Sequence, residues 1–257
     1  MDHKTSQHEV NVMPYETVNF DTTLSKKRFV SIEDISSTKD RMIPTFRSEL
    51  HTRIIETPPE IYQASGIKIF GRRIKSFIFT TDVALIRNHN AHAVFAVYPF
   101  TPKEIIMKAI IDTASVPVFT GVGGGTTSGE RSVRLAFEAE QLGAYGVVVN
   151  APIASETITA ISRLIDIPVI ATISSFETDF KAKLQAGADI LNVSAGARTT
   201  ELVAHIRQTV GLDVPIIATG GKTGESILET IRAGANCIIY TPPTNSEITA
   251  ALMKSYR

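Results

Sequence analysis

Asp213-Val214-Pro215-Ile216-Ile217-Ala218-Thr219 is the clearest copy of a motif that also occurs at residues 115–121 (SVPVFTG) and 166–172 (DIPVIAT). In each copy a proline precedes a short apolar run. Proline is tolerated at the first position of a strand because no ladder hydrogen bond is needed there. Apolar runs without polar alternation are typical of parallel strands that are buried on both faces. Each copy therefore predicts a buried parallel strand.

A second motif alternates with the first, at residues 143–149, 187–193 and 234–240, with a weaker copy at residues 90–97. Glycine or asparagine ends the preceding helix, and an apolar strand begins almost at once. With a first strand at residues 75–81, the two motifs give eight strands, each followed by a helical stretch. The expected helices are 83–88, 101–114, 131–142, 155–164, 178–186, 199–210, 224–233 and 246–256.

Eight parallel strands joined by right-handed crossovers predict an α/β fold, a (β/α)8 TIM barrel over residues 66–257. A doubly wound open sheet is the alternative. Residues 66–76 (GIKIFGRRIKS) hold two short apolar–polar stretches that meet at a glycine, which predicts a β-hairpin plugging the bottom of the barrel. Residues 1–65 are interpreted as an N-terminal extension, either partly disordered or an arm that packs on the barrel or on a partner subunit of a homo-oligomer. Within it we expect a helix at 39–54 that is broken at Pro44, and a capped helix start at 57–61.

Composition excludes several classes of protein. The chain has 257 residues, of which 43% are hydrophobic and 20% charged, and one barrel needs about 250 residues. Lys plus Arg number 26, as do Asp plus Glu, so no net charge favours nucleic acid or an anionic membrane as a partner. The polar first ten residues do not resemble a secretory signal, and no apolar run approaches the roughly 18 residues of a membrane span. With a single cysteine, we expect a cytoplasmic protein.

The expected functional residues lie at the carboxyl ends of the strands, where TIM barrels carry their sites. These ends are rich in Thr, Ser, Asn, Tyr and Gly, and Asp82 is the one acid among them. A carboxylate buried there can have its pKa raised and act as a general acid or base. Its position just before an apolar helix gives an equally good alternative, the N-cap.

Five further residues follow strands and are candidates for the same site. Tyr98 and Tyr240 are predicted proton donors, or else rim aromatics with satisfied hydroxyls. Asn150, Asn192 and Ser194 are predicted to polarise a substrate carbonyl, or else to tie loops together.

The loop at residues 218–226 (ATGGKTGES) resembles the phosphate-gripping loop of the phosphate-binding barrel superfamily. The resemblance implies an anion site at Thr219, Gly220, Gly221 and Lys222, helped by Arg198. The eighth strand departs from that family, because it ends in Tyr-Thr-Pro-Pro and proline has no N–H to offer. The expected ligand is therefore a phosphate, a carboxylate or a smaller anion; alternatively the glycines only turn the chain.

The loop at residues 121–130 (GVGGGTTSGE) resembles the corresponding stretch of the dihydrodipicolinate synthase and N-acetylneuraminate lyase aldolases. Those enzymes need a Schiff-base lysine at a later strand end. Here the fourth, fifth and sixth strands end in asparagine, serine and asparagine, so the imine mechanism of those aldolases is not expected. Gly123 and Gly124 are still predicted to cradle an anion, with a flexible lid as the alternative.

No metal or other cofactor is expected. The histidines are predicted to lie before the barrel, at its bottom or in mid-helix, away from the catalytic face: His3, His8, His51, His89, His92 and His205. Flavin is the alternative, because the plugging hairpin resembles the start of thiazole synthase barrels and of flavin-binding barrels. Lys222 or Arg198 would then hold the reduced flavin.

The sequence thus predicts a metal-independent lyase or isomerase that acts by acid–base chemistry on a small anionic, phosphorylated or unphosphorylated metabolite. A hydrolase in which Asp82 activates water and a flavin oxidoreductase are alternatives. The remaining alternative is a non-catalytic, ligand-sensing barrel, as in the glycerol uptake operon antiterminator proteins. A carboxylate of Asp82 bonded only to helix N–H groups would favour that last alternative.

Overall fold

The computed structural model of the protein describes residues 55–255, and the helix expected at residues 39–54 lies outside that part. Eight parallel strands form a closed barrel in which the last strand pairs with the first. The closed barrel confirms the (β/α)8 prediction and excludes an open sheet. A two-stranded hairpin of β1 Ile67–Ile69 and β2 Arg72–Ile74 precedes the barrel strands. The barrel strands are β3 Ser76–Phe79, β4 Ala93–Ala96, β5 Val118–Gly123, β6 Gly146–Val149, β7 Val169–Ile173, β8 Ile190–Val193, β9 Ile216–Thr219 and β10 Cys237–Tyr240.

A helix follows each barrel strand, as right-handed parallel crossovers require. The helices are α1 Val83–Arg87, α2 Glu104–Thr113, α3 Glu130–Gln141, α4 Ser155–Leu164, α5 Phe180–Gln185, α6 Thr199–Val210, α7 Gly224–Arg232 and α8 Asn245–Ser255. A 3-10 turn at Gly196–Arg198 precedes α6. Among the described residues no helix is both long enough and apolar enough to cross a membrane.

The core has two layers that follow the alternation of side chains along each strand. One layer fills the inside of the barrel and includes Phe77, Phe95 and Phe119, whose rings meet edge to face with Phe77 at their centre. The other layer lies between the strands and the helices. Every second strand residue therefore faces the barrel axis, and this phase decides which side chains reach the mouth.

The hairpin closes the amino-terminal end of the barrel, as the sequence predicts. Strands β1 (Ile67–Ile69) and β2 (Arg72–Ile74) pair antiparallel. Ile67, Ile69 and Ile74 are buried in the same cluster as the barrel interior. The turn places Phe70 at a positive φ of 46° and Gly71 at 79°. The bottom of the barrel is thus plugged by apolar side chains, which leaves the carboxyl end as its open mouth.

The residues before the hairpin pack onto the barrel. Residues Pro59–Gln63 form a 3-10 helix, and Ile61 is completely buried in the core layer under the helices. The expected helix start at residues 57–61 is therefore present, but no side chain caps it. Thr57 instead donates its hydroxyl to Oδ1 of Asn90, over 3.0 Å.

Candidate functional site at the carboxyl mouth of the barrel

Three polar side chains face the barrel axis at the ends of β7, β8 and β9. Their strand neighbours Ala171, Leu191 and Ala218 belong to the layer under the helices. Alternation therefore turns the intervening or following residues inward, namely Thr172, Asn192 and Thr219. The register supports this placement, since Thr172 is the direct pairing partner of Asn192.

Asn192 is the most constrained polar group in the mouth. Its side chain is 4% exposed, and its Nδ2 donates to Oγ1 of Thr172 over 3.2 Å. Its Oδ1 is buried and accepts no hydrogen bond from any described residue. An unpaired buried acceptor is costly, about 1–3 kcal/mol, and calls for an explanation such as a bound ligand.

Asn150 and Ser194 complete the polar side of the mouth. Thr219 Oγ1 donates to Ser194 Oγ over 3.2 Å, which joins the ends of β8 and β9. Asn150 follows Val149 of the outer layer, so alternation turns it inward as well. Its backbone N–H donates to the Gly123 carbonyl over 2.9 Å. The structure therefore brings Asn150, Asn192, Ser194 and Thr219 to one end of the barrel.

Asp82 is held by the helix that it precedes. Its Oδ1 accepts from the backbone N–H groups of Ala84 at 2.8 Å and Leu85 at 3.3 Å. This is the N-cap of α1, the alternative that the sequence left open. The carboxylate is used by the backbone of α1, and no other side chain of the described residues contacts it by a hydrogen bond.

The two tyrosines are placed differently. The hydroxyl oxygen of Tyr98 accepts from the Lys103 backbone N–H over 3.0 Å. Tyr98 lines a small cleft of about 70 Å³ together with Gly123 and Asn150. Tyr240 packs instead against the layer under the helices, beside Ile238. The structure thus brings Tyr98 next to Asn150 in this cleft, whereas Tyr240 belongs to the layer under the helices.

The backbone of the third loop uses its own amides. Gly123 and Gly124 have φ values of 143° and 108°, which L side chains rarely adopt. The N–H of Gly124 donates to the Thr127 carbonyl over 2.8 Å. The buried hydroxyls of Thr127 and Ser132 lie next to this turn without a partner among the described residues. The loop thus offers an anion fewer free N–H groups than the glycine pattern suggests.

The seventh loop is also largely satisfied internally. A Cβ on Gly220 would lie 2.5 Å from Cγ2 of Ile238, so this glycine is required for packing. Thr223 and Ser226 form a reciprocal capping box at the start of α7. The Glu60 carboxylate lies against Gly224, the first residue of α7. A carboxylate at this end of the helix competes with a bound anion, which weakens the resemblance to a phosphate loop.

The two candidate cations at the mouth are on its outer edge. The guanidinium carbon of Arg198 lies 4.3 Å from the centre of the Phe176 ring, and its Nε is 3.3 Å from Oε2 of Glu201. Lys222 is exposed in the turn before α7. Both can attract an anion, but among the described residues no hydrogen bond or ion pair connects either cation to Asn192.

Sequence reasoning missed Lys183, which is 6% exposed in α5. Its Nζ lies 3.0 Å from the Ala151 carbonyl oxygen and 3.1 Å from the Ile153 carbonyl oxygen. Burial lowers the pKa of this amine below its ordinary value, and the Asp179 carboxylate opposes that shift. A lysine in mid-helix gives no sequence signal that its amine reaches a loop about thirty residues earlier.

Side chains that could ligate a metal ion are dispersed in the part of the chain that the structure describes. Mg²⁺ prefers carboxylate oxygens, and no group of three His, Cys, Asp or Glu side chains converges anywhere between residues 55 and 255. Asp82 is engaged as an N-cap. His89 and His92 lie near the start of β4, and the Nδ1 atom of each accepts a hydrogen bond from a backbone N–H group. His205, on α6, packs against the ring of Phe176.

Comparison with known proteins identifies a shared fold. No family model matches the sequence, and no curated protein does. Phosphonopyruvate hydrolase in complex with oxalate and Mg²⁺ has a TM-score of 0.53 at 14% identity, covering 72% of this chain and 80% of its own. Phosphoenolpyruvate phosphomutase from Streptomyces platensis subsp. rosaceus has a TM-score of 0.55 at 13% identity, covering 70% and 79%. 2,3-Dimethylmalate lyase, a PEP mutase/isocitrate lyase superfamily member, has a TM-score of 0.52 at 16% identity, also covering 70% and 79%. The likeness confirms the TIM-barrel fold.

Proposed function

We propose that the protein binds a small anionic metabolite at the carboxyl mouth of its barrel and acts on it without a metal ion or other cofactor. The observation that carries this proposal is the unpaired, buried Oδ1 of Asn192. Nδ2 of the same amide donates to Oγ1 of Thr172 over 3.2 Å, which holds the side chain in place. Such a preorganised group destabilises the free protein, and this cost is offset when a ligand supplies the missing donor.

The ligand must present a hydrogen-bond donor to Asn192, because an amide oxygen only accepts. A hydroxyl group or a protonated carboxyl group meets this requirement. Ser194 and Thr219, joined to each other at 3.2 Å, can donate to or accept from a second oxygen. Arg198 and Lys222 on the outer edge would attract the negative charge. The best candidate is therefore a small hydroxy acid, and oxalate, bound by phosphonopyruvate hydrolase, suggests the size of a suitable probe.

The chemistry that these residues support is proton transfer of the lyase or isomerase type. Tyr98 is the group we assign to it in place of Asp82. Its oxygen accepts from the Lys103 N–H over 3.0 Å, so the hydroxyl proton takes no part in that bond and can be donated within the cleft that Tyr98 lines. Asn150 lines the same cleft and would polarise the substrate carbonyl.

A non-catalytic, ligand-sensing barrel is the second candidate, and one observation favours it. The carboxylate of Asp82 bonds only to helix N–H groups, so the one acid at a strand end is occupied by a structural role. The two candidates share the binding site at Asn192 and differ in whether the bound ligand is converted.

Isothermal titration calorimetry with a set of small acids in EDTA tests the proposal. The set consists of oxalate, 2-oxo acids, 2-hydroxy acids and phosphoenolpyruvate. We expect a 2-hydroxy acid to bind with EDTA present and Asn192→Leu to weaken that binding at least about tenfold, or about 1.4 kcal/mol. Asn88→Leu, a matched change at an exposed asparagine outside the mouth, is the control. Binding by no acid, or unchanged binding by Asn192→Leu, contradicts the proposal.

Turnover then separates the two candidates. Proton exchange at the carbon next to the carboxylate of the bound acid, followed by NMR in D2O, reports acid–base chemistry directly. We expect exchange that Tyr98→Phe abolishes while affinity is kept, because the variant loses only the hydroxyl. Tight binding without any exchange would favour the sensing barrel.

A further inference from the structure

A second cleft lies between the loops that lead into α4 and α5. It has a volume of about 330 Å³ and a largely polar lining that includes Ser155, Ser175, Thr178 and Lys183. None of these residues belongs to the polar group around Asn192, so the role of this cleft is independent of the function proposed for the mouth. The cleft is at the carboxyl end of the strands, where TIM barrels carry their chemistry.

The amine of Lys183 has two protein acceptors and not three. The Ala151 and Ile153 carbonyl oxygens lie 3.0 and 3.1 Å from Nζ, and no other described residue accepts from it. A neutral amine has two N–H groups, which these carbonyls satisfy, and one lone pair that takes no part in these two bonds. An ammonium group would have a third N–H without a protein partner, which is unfavourable for a side chain that is 6% exposed.

The charges around the cleft favour a neutral ligand. Asp179 accepts from the Ala182 N–H as the N-cap of α5, and its carboxylate opposes the burial effect that lowers the pKa of Lys183. Glu177 lines the same cleft, and a hydrogen bond from Ser175 holds its pKa below its usual range. The carboxyl groups of Glu177 and Asp179 disfavour an anion here, whereas an uncharged carbonyl compound does not meet this repulsion.

We propose that Lys183 is a reactive amine that captures a small aldehyde or ketone as an imine in the cleft between α4 and α5. The nitrogen bonds to the carbonyl carbon, and one N–H proton passes to the carbonyl oxygen to give a carbinolamine. The carbinolamine takes a proton from solvent and loses its hydroxyl as water. The resulting protonated imine keeps one N–H, which one of the two carbonyls still accepts. Desolvation lowers the pKa of the Lys183 amine and so favours its neutral, nucleophilic form, which is a general way of activating lysine for this step.

Reductive trapping with acetaldehyde and sodium cyanoborohydride tests this in the full-length protein. Under limiting aldehyde at neutral pH, peptide mapping by mass spectrometry follows ethylation of each lysine. We expect Lys183 to be ethylated severalfold faster than Lys181, an exposed lysine in the same helix. Rates for Lys183 equal to or below those for Lys181 overturn the proposal and identify Lys183 as a protonated structural clamp.

Lys183→Arg separates reactivity from structure. Arginine can still donate to both carbonyls, so the thermal unfolding temperature should stay close to that of the parent while the fast ethylation is lost. Lys183→Met keeps the apolar stem and removes the donors. If the fast-labelled site persists in Lys183→Arg, another amine is responsible and the assignment to Lys183 fails. The wild-type comparison of the two lysines stands even if a variant does not fold.

Discussion

Replacing Asn192 by leucine removes a group that we assign to binding, and it is expected to leave the ligand-free protein as stable or more stable. The two side chains are similar in size, and the site is 4% exposed. The substitution deletes the Oδ1 acceptor that has no partner and the Nδ2 donor that bonds to Thr172. These two deletions act on stability with opposite sign.

The magnitudes decide the outcome. Removing an unpaired buried acceptor returns about 1–3 kcal/mol, whereas losing one neutral hydrogen bond costs about 0.5–1.5 kcal/mol. The balance lies between a loss of about 0.5 and a gain of about 2.5 kcal/mol, with a central value near a gain of about 1. For a domain of this size 1 kcal/mol shifts Tm by about 2–4 °C. Thr172 is half-buried, so water can replace its lost donor and reduce the cost further.

Reversible urea unfolding and thermal unfolding without ligand give the answer. Thr172→Val is the companion variant, because it removes the partner of Nδ2 and leaves the amide in place. It should lower the free energy of unfolding, while Asn192→Leu should not. A loss of more than about 2 kcal/mol in Asn192→Leu would show that Oδ1 is satisfied in the folded protein and would refute the argument that it awaits a ligand.

Packing, capping and burial each lead to one further prediction. Gly220→Ala should lower the free energy of unfolding in urea by about 1–3 kcal/mol, since its Cβ would lie 2.5 Å from Ile238. Gly125→Ala is the control, because a Cβ there meets no atom within 4 Å. Equal urea midpoints for the two variants would contradict this prediction. Asp82→Ala should lower the free energy of unfolding by about 0.5–2 kcal/mol, because the N-cap of α1 is lost, and it should leave ligand affinity unchanged. Asparagine can also cap a helix, so a loss of ligand affinity in Asp82→Asn would show that the Asp82 carboxylate contacts the ligand. Burial lowers the pKa of His92 in the folded protein below its value in the unfolded chain. As the pH falls below about 6.5, the unfolded chain therefore binds more protons than the folded protein, and the free energy of unfolding should fall. His92→Asn keeps an acceptor for the backbone and should flatten the pH dependence of urea unfolding; an unchanged slope would be contrary evidence.

The fold was accessible from sequence because six of the eight barrel strands carry their own start signal. Proline before β5, β7 and β9, and Gly-Ala before β6, β8 and β10, mark where strands begin. Helices α4 and α6 have the predicted bounds, 155–164 and 199–210. Helix α2 begins at Glu104 and not at residue 101, since Lys103 is still extended and the residue before Pro102 is restricted. Helix α5 begins after Asp179, whose side chain caps it.

The site was less accessible, since its residues act through contacts that span the chain. The sequence allowed two roles for Asp82, and the distances of 2.8 and 3.3 Å to helix N–H groups select the cap. The paired glycines of the seventh loop resemble a phosphate loop in sequence, but the Glu60 carboxylate against Gly224 comes from more than 160 positions earlier. Lys183 depends on the α4–α5 packing in the same way.

The sequence does not show which residues of each strand face the barrel axis and which face the helices. For this reason some residues predicted at the mouth from their position at a strand end lie there and others do not. In a half-buried strand the polar residues mark the outward face, but strands buried on both faces are apolar at every position and give no phase. Asn192 and Tyr240 both sit at strand ends in the sequence, yet Asn192 faces the axis and Tyr240 the helices. If one residue of each strand were known to face the axis, the orientations of Asn192 and Tyr240 would follow, because side chains alternate between the two faces of a strand. The polar side of the mouth is therefore set by the large side chains that fill the barrel below it, such as Phe119, and changes that re-pack this interior should alter binding at Asn192 without touching the rim.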